Sequence, residues 1–534
     1  MPERSGDFKV SAGERQVVRA LGSIGSATLV SRVLGFARDV VVALAFGAGP
    51  LTDAFFVAFR IPNILRRLLA EGALSTAIIP VFTEYFVTRP AEDARRMLRA
   101  VLALALLALG LTALLGILGA PWILDAIAPG FADEPRQAAL AVRLTRVMFP
   151  YLVLVGLGAL ATGALNAHGR FFASALGPAV LNVGMIAGVV ALARRVDPPI
   201  LSLALGVLAG GVGQLLVQVP GLRALGLLVP PSGELRHPAL VRITRLLLPA
   251  VFGLAAVQVM VFVNTVLASL LPPGSISFLY YADRVMEFPL GVFGIALASA
   301  SLPLMARQAA AGQPRALAGT LGFALRLSLY VSVPAMVGLV VLREPIVRVL
   351  FERGRFGAPE TAATAVALGW YAAGLAGFAG ARIAAQAFYA LGQAGTAVRW
   401  GIVAVGANVL AALLLMGPLG HAGLAAASSL GAYVNLAGLL WAARRRLGPL
   451  GGRALLASAA RTVVAAAPLG AWCVLARVLW PAPAPRVWVD AAWLAAAVAG
   501  GAAIFWTASL LLSAPERADL LRMLPGRGRT DTGS

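Results

Sequence analysis

GALSTAIIP at residues 72–80 returns as IALASASLP at 295–303, and just upstream TDAFFVAFRIPN at 52–63 resembles YYADRVMEFPLG at 280–291. A pattern repeated at a spacing of about 223 residues means that one structural unit has been used twice. Working outward, breaks at proline, glycine and charge clusters divide the chain into fourteen apolar stretches, near 20–47, 53–85, 97–126, 140–166, 171–194, 200–222, 241–271, 277–306, 317–342, 362–392, 396–418, 421–443, 455–480 and 487–513. A bilayer core is about 30 Å thick and a helix rises about 1.5 Å per residue, so each stretch can cross. The two copies fall in the second and eighth stretches, six spans apart. Both therefore cross in the same direction, related by an axis along the membrane normal. The fold class expected is an all-α polytopic membrane protein of 14 transmembrane helices. It comprises an N-terminal segment (1–19), an N-lobe of spans 1–6 (20–222), a C-lobe of spans 7–12 (241–443), spans 13–14 (455–513) and a tail (514–534).

Composition agrees. The chain is 60% hydrophobic and 13% charged, and its mean hydropathy is +0.86, outside the range of soluble domains. The net charge of +21 comes almost wholly from arginine gathered in short loops on alternate sides of the spans. That is a topology signal, so no nucleic-acid partner is expected. The richer side includes Lys9, Arg15, Arg19, Arg95, Arg96, Arg99, Arg236, Arg307, Arg315, Arg399, the run Arg444, Arg445 and Arg446, and the C-terminal arginines. Both termini are therefore expected in the cytoplasm, which an even number of spans satisfies. The one cysteine, Cys473, lies in an apolar span and excludes a disulfide framework or Cys-based metal site. His168, His237 and His421 are scattered and no acid cluster of metal-binding type occurs. An intramembrane enzyme would need such a cluster, so no catalytic residue, metal or cofactor is expected.

Function shows where charge sits inside the spans, because an ionisable group there costs about 2.5–3.5 kcal/mol on insertion scales and faces a cavity or a partner. SRVLGFARD at 31–39 carries Arg32, Arg38 and Asp39, with Arg32 about 18 Å from the cytoplasmic start of its span. Arg32, Gly35 and Asp39 share a face, while Arg38 points about 120° away unless Gly35 bends the helix. RIPNILRRLLAEG at 60–72 places Arg66 deep in the second span, just after the helix-interrupting Pro62. Arg67 and Glu71 are spaced for a structural ion pair, and Asp53 at the start of that span is expected as an N-cap. In the eighth span Asp283, Arg284 and Glu287 share a face, so neutralisation within the helix competes with binding at Asp283 and Glu287. Arg32, Arg38, Arg66 and Arg284 belong to spans that line the central cavity of a two-lobed transporter. Guanidinium groups fork onto phosphate oxygens, so a dry cavity lined by several suits a pyrophosphate. REPIVRVLFERGRFGAPE at 343–360 is too charged to span and is expected as an amphipathic helix on the outer surface.

These stretches also carry a resemblance. SRVLGFARD, residues 47–85, YYADRVMEFPLGVFG at 280–294 and VRVLFERGRF at 347–356 are together similar to the MurJ (MviN) family of lipid II flippases, within the multidrug/oligosaccharidyl-lipid/polysaccharide exporter superfamily. The resemblance implies two lobes around a central cavity, a groove for the polyprenyl chain on the last two helices, and alternating access. The cargo implied is undecaprenyl-pyrophosphate-linked disaccharide-pentapeptide, moved to the outer leaflet for peptidoglycan synthesis. It places the family's cavity arginines on Arg32, Arg38, Arg66 and Arg284 and its cavity acids on Asp39, Asp53 and Glu287. The partners implied are lipid II and membrane lipids, with a monomer in the bacterial inner membrane. Some relatives resemble sodium-coupled transporters, but segments 246–282 and 396–443 contain no Asp or Glu, only neutral candidates such as Gln258, Asn264 and Asn408. Coupling to membrane potential or substrate flux is expected instead. The competing function is export of drugs or of another polyprenyl-linked oligosaccharide.

Overall fold

The computed structural model describes residues 12–68, 77–234, 236–480 and 487–523. It is helical, with no strand among the described residues. Contacts divide the chain into two compact units, Met1–Val266 and Leu267–Ser534.

The first unit begins with α1 (Ala12–Phe46), α2 (Pro50–Arg66), α3 (Ile79–Thr88), α4 (Ala91–Leu118) and α5 (Ala120–Ile127). It continues through α6 (Pro135–Met148), α7 (Tyr151–Ala167), α8 (Phe172–Ala175), α9 (Gly177–Leu192), α10 (Leu201–Ala224) and α11 (Pro238–Ser269), whose last three residues lie past the division at Val266. α9 and α10 lie backbone to backbone. A Cβ on Gly184 would come 2.4 Å from the Cα of Gly210, and one on Gly188 would come 2.6 Å from the carbonyl of Ser202. Small residues four apart on both helices allow that approach, the commonest means of tight association where lipid supplies no hydrophobic drive. α1 packs along α9.

The chain between α10 and α11 is strapped to α3 and α4. Arg96 donates to both oxygens of Glu234, at 2.7 and 2.8 Å, Ser232 N donates to the Arg99 carbonyl at 3.3 Å, and Arg242 reaches Glu84 at 2.7 Å. Leu227, Ala239 and Leu240 complete a core with Phe82, Met97 and Val101.

The second unit holds α12 (Ser275–Pro289), α13 (Ala296–Ala310), α14 (Pro314–Val341), α15 (Arg343–Phe351), α16 (Ala358–Ala373) and α17 (Leu375–Ala390). It ends with α18 (Ala394–Leu419), α19 (His421–Leu447), α20 (Gly452–Val478), α21 (Val487–Leu511) and α22 (Pro515–Met523). α16 and α17 meet at 42°. Carbonyls freed at this bend accept side chains of α19: Ser429 donates to Trp370 O and Tyr433 to Ala373 O, each at 2.7 Å.

Eight described helices or helix pairs are long and apolar enough to cross a membrane, and the bent α16–α17 pair makes a ninth. The predicted spans outside that set include those with charge or breaks. α1 carries Arg32, Arg38 and Asp39. The second predicted span is interrupted as an α-helix by π-helical residues, at 67–68 after α2 and at 77–78 before α3. Residues 69–76, with Glu71 and most of GALSTAIIP, lie outside the described residues. The eighth is likewise interrupted by a π-helical stretch, Leu290–Ile295. Single-turn π segments accommodate an extra residue and recur at functional sites.

Two boundaries differ from the sequence reading. The predicted third span divides into α4 and a separate short helix, α5, started by Pro121 after Gly119. The amphipathic helix expected over 343–360 ends at Phe351, because Glu360 turns back to accept Gly357 N–H at 2.8 Å and starts α16. The tail contains α22, whose Glu516 is buried 3.7 Å from Arg326 of α14.

Candidate functional site

Arg38 is gripped from two helices. Its Nε and Nη2 donate to Oδ1 of Asp39 at 3.0 and 2.6 Å, and its Nη1 donates to Oδ1 of Asn182 on α9 at 3.0 Å. The Sδ of Met185, one turn along α9, lies 4.0 Å from Nη1. Asn182 also donates through Nδ2 to the Ser31 carbonyl at 3.2 Å. Ser31, Gly35 and Arg38 form one stripe of α1 by i, i+4, i+7 spacing, and that stripe faces α9. A Cβ on Gly35 would sit 3.3 Å from Asn182 Nδ2, so the glycine leaves room for the amide. The expectation that Arg38 points away from Asp39 is corrected here. Adjacent residues on a helix diverge, but the long arginine side chain folds back along the groove and reaches the carboxylate beside it.

Arg32 is exposed and Arg66 is half-buried. Arg66 Nε donates to Oδ1 of Asn63, one turn earlier on α2, at 3.2 Å. α2 is anchored by Phe55 stacked on Phe59 at 5.7 Å and by Phe59 against Tyr151 of α7 at 6.3 Å. Asp53 is buried, but it is not the N-cap. The cap is Gly49, whose N–H donates to Thr52 Oγ1 at 2.9 Å, with Pro50 at the first helical position and Asp53 N already bonded to Gly49 O. The helix begins one turn earlier than the side-chain pattern implies, because proline is preorganised for that position. Asp53 thus sits inside the first turns, where the helix dipole favours an anion.

In the second unit, Arg284 Nη1 donates to Glu287 Oε2 at 2.8 Å, and Nε and Nη2 both point to the Tyr280 hydroxyl at 3.3 Å. All three residues are on α12, and Asp283 is half-buried beside them. The neighbouring Tyr281 is fully buried against Phe351 at 5.0 Å and Phe356 at 5.5 Å. The resemblance-bearing stretches 280–294 and 347–356 therefore meet through aromatic packing, which orients the helix that carries Arg284.

The structure thus joins Arg38 to Asp39 and Arg284 to Glu287. It adds Asn182 and Tyr280, which the sequence reading passed over. Asn182 left a signal as a polar residue within the apolar run AVLNVGMIAGVV, and Tyr280 stands one turn before Arg284. From Arg32 to Leu68 there are five arginines and two aspartates, so an anion is favoured after internal pairing. Among the described residues no group of three or more His, Cys, Asp or Glu could hold a metal ion. Asn408 donates to Ser428 at 3.2 Å, an amide–hydroxyl contact between α18 and α19.

The family model described as "Lipid II flippase MurJ" matches residues 42–484. A Vibrio cholerae protein named "Probable lipid II flippase MurJ" is 38% identical over 439 residues, covering 80% of this chain and 83% of that one. The "Lipid II flippase MurJ" of Burkholderia cenocepacia is 37% identical over 432 residues, with 80% and 84% covered. Among solved structures, "Lipid II flippase MurJ, inward closed conformation" superposes with a TM-score of 0.77 at 23% identity, over 93% of this chain and 99% of that one. An inward-facing multidrug resistance transporter of the MATE family superposes with a TM-score of 0.62 at 18% identity, over 80% and 98%. These two structural likenesses concern the fold.

Proposed function

The chain belongs to the lipid II flippase MurJ family, and on that footing we propose that it carries lipid II from the inner to the outer leaflet of the bacterial cytoplasmic membrane by alternating access. The observation that carries this reading is a guanidinium, Arg38, held in a fixed orientation inside an apolar helix bundle. A preorganised bidentate donor in a low-dielectric setting recognises a pyrophosphate far better than it does in water. Arg32, Arg38 and Arg66 from the first unit and Arg284 from the second bind the pyrophosphate. Asp39, Asp53 and Glu287 balance part of that charge when no substrate is bound.

In the same proposal α1, α2–α3, α4, α6–α7, α9, α10, α11, α12–α13, α14, α16–α17, α18, α19, α20 and α21 are the fourteen spans. They form an N-lobe over 20–222 and a C-lobe over 241–443, with both termini cytoplasmic and α20–α21 as the groove for the polyprenyl chain. The protein works as a monomer. Transport is driven by membrane potential or substrate flux, and loss of activity on sodium removal at constant potential would overturn that part. Export of drugs or another polyprenyl-linked oligosaccharide fits the superfamily fold but gains nothing from the arginine set.

The test is a depletion strain complemented with this chain and assayed for lipid II exposure at the outer face. Replacing all four arginines by alanine should abolish exposure while the protein still inserts. Full activity of that variant would sink the reading.

A further inference from the structure

Asn182 has a peculiar combination of properties. It is 6% exposed, sits in an apolar run, and uses its two amide atoms in two directions on the same partner helix. Oδ1 accepts from Arg38 and Nδ2 donates to the Ser31 backbone carbonyl. A buried amide that holds one backbone group and one side chain on a single helix has no rotational freedom left. Its own helix is equally fixed, because the Gly184/Gly188 face of α9 is pressed against Gly206 and Gly210 of α10. Gly35 leaves the space through which the amide reaches α1.

The chemistry of the amide matters as much as its placement. Arg38 already has a carboxylate partner in Asp39, which balances part of the positive charge around it. A second carboxylate would over-neutralise the guanidinium, whereas an apolar residue would remove the hydrogen bond it donates to α9. A neutral acceptor orients without taking charge.

We propose that Asn182 is the positioning residue of Arg38: it fixes the plane of the guanidinium for a pyrophosphate while leaving its positive charge available. The inference rests on the reading of Arg38 as a substrate-binding residue.

The test is titration of lipid II into the purified full-length protein. Asn182→Leu, similar in volume but without either hydrogen bond, should weaken binding about tenfold, the scale of a hydrogen bond to a charged group. Asn182→Asp keeps the shape and the acceptor but adds a charge, and should weaken binding by a similar factor. The exchange Asn182→Asp with Asp39→Asn restores one amide and one carboxylate around Arg38, and should recover affinity to within about threefold of the original. Gly35→Ala, which pushes on the amide, should fall in between. A residue that merely packs α9 on α1 would not be rescued by a change at Asp39. Wild-type affinity in Asn182→Leu, or no recovery in the exchanged pair when thermal unfolding shows Asn182→Asp to be folded, would overturn the inference. If Asn182→Leu does not fold, the exchange and Gly35→Ala carry the test. Arg38→Ala separates the two levels. If it too binds lipid II normally, the functional reading fails; if it loses binding while Asn182→Leu does not, only the role of Asn182 fails.

Discussion

Arg38 and Arg284 bring the same guanidinium to two different settings. The Arg38 side chain is 11% exposed and its carboxylate partner 4%, whereas Arg284 and Glu287 are 33% and 46% exposed. Arg38 is held by Asp39 on its own helix and Asn182 on another. Arg284 is held by Tyr280 and Glu287, both within one turn of it on α12. The first set of contacts spans α1 and α9; the second runs along α12. Arg38 is thus an anchor between α1 and α9, whereas the Arg284 pair lies along α12.

The largest expected effect comes from breaking the anchor. Arg38→Ala should lower lipid II exposure at the outer face by about a hundredfold or more, as truncation of one partner of a buried, hydrogen-bonded charge pair does. It should also destabilise the fold by on the order of 3 kcal/mol, because the Asp39 carboxylate loses its guanidinium. Arg38→Ala combined with Asp39→Ala should regain most of that stability and none of the transport. Wild-type thermal unfolding of Arg38→Ala alone would break the comparison.

Next in size, Arg284→Ala should abolish transport while changing stability by less than about 1 kcal/mol, the range of solvent-accessible ion pairs. Denaturation of the purified variant alongside the exposure assay checks both halves. Lysine at either position should rescue poorly, since a point charge cannot fork onto two oxygens.

A smaller change is expected for Glu287→Gln. Removing the carboxylate takes one anionic competitor from Arg284 and should tighten lipid II binding by about two- to threefold with unchanged stability. Weaker binding would mean that Glu287 itself touches the substrate.

The smallest effect concerns a third setting, the strap between α10 and α11. Arg96 holds the Glu234 carboxyl below its ordinary range by hydrogen bonding. Burial pushes the His237 imidazole down, opposed by Glu234 and Asp93 and reinforced by Arg96; Tyr85 stacks against it at 5.7 Å. Both folded-state values are depressed, so both contributions are present at neutral pH and are lost on acidification. For His237 the loss begins as pH falls through about 6.5 towards its lower folded value, and for Glu234 it follows below about 4.3. Neutral His237 accepts the Ala239 N–H through Nδ1 at 3.2 Å, a bond that protonation removes. Amide protection factors across 225–240, in which the intrinsic base-catalysed pH dependence of exchange is divided out, should therefore fall about two- to threefold between pH 7.5 and 5.5, with little change in His237→Gln. A pH-independent protection factor in the unmodified protein would remove the strap's titratable component.

Much of this was legible in the chain. Apolar stretches with polar interruptions announced membrane helices, and charge stood out inside them because lipid makes it expensive. Arg32, Arg38, Arg66 and Arg284 could be found that way. Asn182 could not, since one amide in an apolar run has many possible partners. The departures from α geometry in the second and eighth spans were equally hidden, because π geometry at 67–68 and 290–295 depends on packing around the helix and not on its own composition. The capping of α2 differs from the expectation because Asp53 looks like a cap by residue type, whereas the choice of Gly49 follows from how Pro50 starts the helix.

The sequence by itself determined that this chain is a bundle of membrane helices carrying misplaced arginines, since hydropathy and charge are properties of residues and act wherever those residues are. Tertiary structure alone decided which arginine is fixed. That choice depends on a glycine gap at Gly35 meeting an amide 147 positions away on α9, and on the Gly184, Gly188, Gly206 and Gly210 contact that locks α9 in place. Orientation of a charge is a property of the groups around it, and those come together only when the helices pack.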